Sequence, residues 1–174
     1  MHKWFIFNFC FLMAAQVYAS QLKVHNLKNS FLNKSNELQG GGCDGKNEIP
    51  KITWDQSPDE TEYVALTVHD PDAPREGGWW HWLILNIPAR FHEISETNLR
   101  EVLAEGAIQT ITSFGKPGWG GPCPPKGETH HYNFTLYFLK DKIKISESAT
   151  PGMVAHELKE KSIGSTEAAS FYKR

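Results

Sequence analysis

Tyr63-Val64-Ala65-Leu66-Thr67-Val68-His69-Asp70-Pro71-Asp72-Ala73-Pro74 and, four residues further on, Trp79-Trp80-His81-Trp82-Leu83-Ile84-Leu85-Asn86-Ile87 decide how this chain is read. Both apolar runs are short and rich in β-branched and large side chains, the composition of buried strands. Between them stand Asp, Pro, Arg, Glu and Gly, which is a turn. Pro71 and Pro74 fix φ on either side of Asp72, so two carboxylates are held still where one strand ends. His81, set among three tryptophans, opens the strand that returns. A carboxylate beside an imidazole raises its basicity and fixes its tautomer, so this junction is the first candidate site.

Outward toward the C-terminus, Phe114 to Gly127 is too rich in Gly and Pro for a helix or a central strand. A long loop of this kind is either functional or disordered, and Trp119, Cys123 and the prolines favour order. His131 to Leu139 has a period of two, with Tyr132, Phe134, Leu136 and Phe138 on one face of a strand. Thr150 caps a helix that starts at Pro151 and runs to about Lys161, with Val154 and Leu158 inward and Gly164 as its stop. Ser165 to Arg174 suits a short terminal helix or turn. On the other side, Leu22, Val24 and Leu27 suggest a first strand, Phe31-Leu32 a second, and Lys51 to Trp54 a third. Ser95 to Leu103 carries apolar residues at helical spacing. The sum is a mostly-β domain with helices at its C-terminal end.

The chain has 174 residues, 40% hydrophobic and 22% charged, which suits one domain with a real core. A net charge of −2 and the lack of a basic cluster interleaved with aromatics argue against nucleic acid as a partner. Residues 1–19 have the layout of a signal peptide: Met1-His2-Lys3, an apolar core from Trp4 to Ala15, then Val17-Tyr18-Ala19 before Ser20. The competing reading is a buried N-terminal helix, which leaves His2 and Lys3 badly placed. Cleavage after Ala19 gives a single domain, 20–174, that is periplasmic or secreted and keeps no transmembrane segment. Cys10 is lost with the leader, so Cys43 and Cys123 remain for an oxidising compartment. A bridge between them closes a loop of about 80 residues and contributes roughly 3 to 4.5 kcal/mol in the loop-entropy model; two free thiols are the alternative.

The residues able to carry chemistry are Asp70, Asp72, His81, His130 and His131, all at strand ends beside Pro/Gly loops. Paired histidines oriented by aspartate can hydrogen-bond an anionic oxygen, and amides of the Gly115 to Gly121 loop could complete an anion nest. Each has a plainer reading. Asp70 and Asp72 cap their own turn, His81 is a satisfied core histidine, and adjacent His130 and His131 put one ring in and one out. One Asp and two His also make a ligand set for iron or zinc, but no short-spaced His pair of the helical kind supports it. Two sulfurs without such a pair make a poor zinc site. There is no Gly-x-Ser-x-Gly elbow for hydrolysis. Trp79, Trp80, Trp82 and Trp119 could form a sugar-stacking platform or go into the core.

Several blocks in order resemble one family. They are Gly42-Cys43-Asp44-Gly45-Lys46-Asn47 with Pro50 and Trp54, Asp70-Pro71-Asp72-Ala73-Pro74, Gly78-Trp79-Trp80-His81-Trp82 with Asn86-Ile87-Pro88-Ala89, and Gly120-Gly121-Pro122-Cys123-Pro124-Pro125-Lys126-Gly127 with His130 and Tyr132. The chain resembles, from about Leu38 to Tyr172-Lys173-Arg174, the phosphatidylethanolamine-binding proteins, also called Raf kinase inhibitor proteins, in their bacterial YbhB/YbcL-like branch. The resemblance implies an antiparallel, Greek-key, two-sheet β-sandwich with a few short peripheral helices, one of them C-terminal. It also implies a preformed pocket for phosphate or a phosphoethanolamine headgroup. Carried onto matching positions, the ligand-binding residues are Asp70, Pro74, His81, Gly121, Pro124, His130 and Tyr132, with Asp72 as loop support. No catalytic residue, metal or cofactor is implied. In that family the pocket goes with ligand binding and with inhibition of kinases or proteases, so a protein partner of that kind is a second expectation. Ile49-Pro50, Thr112-Ser113 and Ser170 depart from the family pattern, and Thr112-Ser113 lies beside the expected pocket mouth.

Overall fold

The computed structural model describes residues 21–174, so the expected leader and Cys10 lie outside the described residues. The elements run β1 (Leu22–Val24), β2 (Gln39–Gly40), β3 (Cys43–Asp44), β4 (Ile52–Trp54), β5 (Tyr63–Asp70), β6 (Trp79–Pro88), β7 (Glu93–Ile94), α1 (Leu99–Ala104), β8 (Ile108–Gln109), β9 (Thr129–Leu139), α2 (Pro151–Lys161) and β10 (Ser162–Lys173). A three-stranded sheet has the order β1-β4-β7, a five-stranded sheet the order β10-β9-β5-β6-β8, and β2-β3 form a separate ribbon. The paired strands are antiparallel. Within the large sheet β9 returns to lie beside β5, so the order of β9-β5-β6-β8 is that of a Greek key. Sequence and structure agree on a mostly-β architecture built on two principal sheets.

Strand alternation sends side chains of the large sheet to two cores. Val64, Leu66, Val68, Trp82, Ile84, Phe134, Leu136 and Phe138 meet Leu22, Val24, Ile52, Trp54 and Ile94 of the small sheet. On the opposite face Ala65, Leu83, Leu85 and Leu139 pack against Val154 and Leu158 of α2 and Ile143 and Ala149 of the loop before it. The central strands are therefore covered on both sides, which is why β5 and β6 read as continuous apolar runs. Each fully buried large side chain contributes roughly 1.5 to 3 kcal/mol.

Two irregularities in the β5–β6 ladder matter. Val64 pairs with Ile87 but Leu66 with Ile84, which leaves a bulge at Leu85-Asn86. Asn86 takes φ 62°, which Asn tolerates better than most residues. Its buried amide donates to Ile143 O at 3.0 Å and accepts from Ile143 N at 2.8 Å, pinning the loop ahead of α2. At the other end Val68 pairs with Trp82 and His69 with Trp80, so His81 is the extra residue. A bulge re-aims side chains, and here it sends His81 and its neighbour Trp82 to the same face, both against Trp119.

The helix expected at Pro151 is present with its predicted bounds, and Thr150 Oγ1 accepts from Met153 N at 3.4 Å. Other local expectations are corrected. The helix expected from Ser95 begins only at Leu99, because Asn98 Oδ1 accepts from Ser95 N at 2.9 Å and Asn98 Nδ2 donates to Glu93 O at 3.0 Å. Side chains that bond to the backbone in this way hold a turn rather than a helix. Of Ser165 to Arg174, expected as a helix or turn, all but Arg174 belong to the twelve-residue strand β10, with Gly164 at a register shift rather than as a helix stop. Small residues such as Ser165, Ala168 and Ala169 gave it little apolar pattern, and β9 supplies its ladder, from Ser162↔Leu139 to Lys173↔Thr129. Phe31-Leu32 forms no regular strand, only isolated bridges of Phe31 to Lys28 and to Phe171.

Cys43 and Cys123 are bridged, with Cα atoms 6.1 Å apart across 80 positions of sequence. The bond ties the β2-β3 ribbon to the Gly/Pro loop. Among the described residues no helix is long and apolar enough to cross a membrane. Reduction, or replacement of both cysteines by serine, is expected to lower unfolding stability by roughly 2 to 4 kcal/mol. Urea denaturation with and without reductant measures this, and coincident curves would count against a stabilising role.

Candidate functional site

Asp70 ends β5, His81 lies near the start of β6 and His130 near the start of β9, so three adjacent strands deliver their side chains to one end of the sheet. All three are buried, with 3%, 4% and 3% of their surface exposed. Asp70 Oδ1 accepts from the backbone N–H of Asp72 at 2.9 Å and Ala73 at 3.1 Å, which closes the turn predicted from Asp-Pro-Asp. Its Oδ2 accepts from His130 Nδ1 at 2.8 Å and lies 4.0 Å from His81 Nε2. Asp70 therefore caps its turn through one oxygen and pairs with His130 through the other.

The outward side repeats the pairing. Asp72 Oδ2 accepts from His131 N at 2.8 Å and from His131 Nδ1 at 2.5 Å, fastening the turn to β9 from outside the site. Burial works to raise the Asp72 pKa, but these bonds outweigh it and hold the carboxyl below its usual range. Asp72 thus ties the turn to His131 of β9. His130 and His131 do put one ring in and one out.

His81 Nδ1 is 2.6 Å from Gly120 O, a carbonyl that can only accept, so Nδ1 carries the proton and Nε2 presents its lone pair. Burial pushes the His81 pKa down to about 4, against the opposing pull of Gly120 O and Asp70. His130 is different: burial lowers its pKa too, but Asp70 at 2.8 Å and Glu128 Oε2 at 3.1 Å, one on each ring nitrogen, raise it above the ordinary histidine value. One imidazole is neutral near pH 7 and the other favours the cation.

These groups open into a cavity of about 370 Å³. Asp70, Pro74, His81, Pro124 and His130, five of the residues expected at the site, line it. Two are placed elsewhere. Tyr132 is fully buried behind His81, its ring edge-on to the imidazole at 5.1 Å, and its hydroxyl has no hydrogen-bond partner among the described residues. Gly121 stands behind the wall, where a Cβ would come within 2.0 Å of Asn36 O, and its N–H donates to Asn47 Oδ1 at 2.7 Å. Three of the amides expected to form an anion nest in this loop are engaged within the protein. Gly115 N donates to Thr112 O, Gly120 N to His81 O, and Gly121 N to Asn47. The tryptophans do not form a platform: Trp82 and Trp119 are in the core, and Trp80 packs against His69 with ring centroids 4.2 Å apart.

Sequence reasoning missed Leu38, Gly41, Phe114 and Arg174 in the lining. Arg174 is the most consequential. The strand β10, read from sequence as helix or turn, carries it back to the cavity, where its guanidinium donates to Gly42 O and lies 3.8 Å from Cys123 Sγ. Only a strand reading of the last residues could have found it. Among the described residues no group of three or more His, Cys, Asp and Glu side chains is arranged to hold a metal ion.

In a ring-nitrogen NMR titration, His81 is expected to stay neutral until the pH falls toward 4, whereas His130 stays protonated above its ordinary midpoint. The stability signs follow. Lowering pH from the unfolded value near 6.5 toward 4 weakens the fold through His81, and raising it through the elevated His130 midpoint weakens it through that residue. Two rings titrating together near 6.5 would contradict the assigned tautomer and pairing.

Comparison with known proteins agrees with this geometry. YbcL of Escherichia coli, a UPF0098 protein, is 38% identical over 165 residues, covering 91% of this chain and 90% of that protein. YbhB of the same organism is 38% identical over 138 residues, covering 78% and 87%. The crystal structure of Escherichia coli YbcL, described as a new member of the mammalian PEBP family, superposes with a TM-score of 0.82 at 37% identity, covering 89% of this chain and 98% of that one. The family model for phosphatidylethanolamine-binding protein matches residues 28–173. With its Greek-key sheet, its buried Asp70–His130 pair and these relatives, the chain belongs to the phosphatidylethanolamine-binding protein family.

Proposed function

We propose that this protein is an exported binding protein whose cavity takes a small phosphate-type anion, free or as a phosphoethanolamine-like headgroup, and that it works by occupancy rather than turnover. The observation that carries this reading is the make-up of the cavity. Ala73, Pro74, Trp79, Phe114 and Pro124 form an apolar wall around Asp70, His81 and His130, and the Arg174 guanidinium supplies positive charge. An apolar pocket with a few convergent polar groups is the usual form of a small-ligand site. The Arg174 guanidinium suits an anionic ligand, and the Asp70 carboxylate is already engaged by His130 and two backbone amides. The lining holds no serine, threonine or lysine nucleophile and Cys123 is bridged, which supports binding over covalent chemistry. The bridge also supports an oxidising compartment, in line with the leader-like N-terminus.

Regulation of a kinase or protease by docking is the second reading. It is favoured by a neighbouring cavity of about 480 Å³ that shares Leu38, Gly41 and Phe114 with the first and extends the groove past Lys116. Such a groove suits a longer occupant than a lone anion.

Inorganic phosphate and phosphoethanolamine are expected to raise the melting temperature, by the equivalent of about 2.7 kcal/mol at a hundredfold excess over Kd. His81→Ala and Arg174→Ala should each remove most of that shift. A melting temperature indifferent to phosphate, phosphoethanolamine and sulfate rejects the anion reading. A stoichiometric protein partner retained by His130→Ala would favour docking. Export is checked by N-terminal sequencing of protein recovered from periplasm or medium, with Ser20 expected first and an intact Met1 counting against it.

A further inference from the structure

The polar end of the cavity has an unexpected balance of donors and acceptors. His81 spends its one N–H on Gly120 O at 2.6 Å, so the nitrogen left over is an acceptor. Both ring nitrogens of His130 are taken, by Asp70 at 2.8 Å and Glu128 at 3.1 Å. Asp70 is itself an acceptor, and its Oδ2 is 4.0 Å from His81 Nε2. An anion with only lone pairs therefore meets a lone pair at His81 and finds no free imidazole N–H. It can be held there only if it brings a hydrogen.

We propose, building on the anion reading above, that the cavity selects a phosphate that carries its own proton: the singly protonated phosphomonoester, whose P–OH donates to His81 Nε2. Its charged oxygens turn to Arg174, whose guanidinium has N–H groups beyond those on Gly42 O and Cys123 Sγ. A phosphodiester has the same single charge and no P–OH, and sulfate has no proton at working pH. Both leave Nε2 facing a lone pair.

The electrostatic surroundings of His81 support a neutral ring. Asp70 on β5 pulls toward protonation, His69 on the same strand opposes it, and burial dominates both. From β9, His130, whose pKa the flanking carboxylates raise, is already paired with Asp70 and Glu128. Tyr132 lies edge-on behind the ring with its pKa raised by burial, so it stays neutral, and Arg174, in the lining of the same cavity, adds positive charge that also disfavours an imidazolium. The proton shared by His81 and the ligand is thus supplied by the phosphomonoester, whose second pKa is about 6. Above that value, binding must draw a proton from solution.

Isothermal titration of the unmodified protein with methyl phosphate and dimethyl phosphate tests this, since the two ions carry equal charge at pH 5.5 and differ in the P–OH. Methyl phosphate is expected to bind at least tenfold tighter at that pH, and to weaken about tenfold per pH unit above 7, where the dianion prevails. The His81 Nε2 resonance should move on addition of methyl phosphate and stay put with dimethyl phosphate. His81→Leu should abolish the preference, and the nitrogen resonance serves if that variant does not fold. Inorganic phosphate, and phosphatidylcholine vesicles with and without phosphatidic acid, distinguish a free monoester from one on a lipid surface; preference for the protonated form in either arm supports the proposal. Equal binding of dimethyl phosphate or sulfate at all pH values overturns it while leaving the anion reading intact. Tightening of sulfate in Glu128→Ala to the level of methyl phosphate overturns it in favour of His130 as the donor. Failure of every anion to bind overturns both readings.

Discussion

The Asp70 carboxylate is the joint on which this end of the molecule depends. Its Oδ1 takes the two amides that close the turn after β5, and its Oδ2 takes His130 of β9, which lies beside β5 in the sheet. An unpaired carboxylate buried to this degree is costly, so the three donors are a condition of its being there at all. Asp72 repeats the arrangement outside, against His131, and the two pairs clamp one turn from both faces of β9. A turn fixed in this way can carry Ala73 and Pro74 as a cavity wall without moving.

The second constraint is the bulge at His81. Regular pleating would send His81 and Trp82 to opposite faces, but the extra residue lets both meet Trp119. His81 then exchanges hydrogen bonds with Gly120, its Nδ1 and its carbonyl both engaged. Gly120 is required there because a Cβ would come within 2.2 Å of the Phe114 ring. Sheet irregularity and loop packing together decide which nitrogen of His81 faces the cavity, and so which ligands it can accept.

The two imidazoles illustrate how position divides chemistry between like residues. Both are buried, but His130 lies between two carboxylates whereas His81 faces a backbone carbonyl. Burial alone therefore dominates His81, and paired negative charge prevails over burial at His130. The disulfide holds the far wall, joining Cys123 to the ribbon that carries Gly41, with Arg174 across both.

The amino-acid sequence by itself determined the strands with strong period or composition, β5, β6 and β9, the capped helix α2 and the Asp-Pro-Asp turn, because these depend on neighbours within a few positions. It also pointed to Asp70, His81 and His130, since ionisable residues at apolar strand ends are conspicuous whatever the partner. Tertiary structure alone decided β10, whose small residues form a strand because β9 offers a ladder, and with it the arrival of Arg174 at the cavity. It decided that Gly121 packs behind the wall and Tyr132 beneath it, and that the amides of Gly115, Gly120 and Gly121 are spent internally. The reason is physical: donor and acceptor satisfaction in a buried site is settled by atoms dozens of residues apart, and no local pattern records which of them meet.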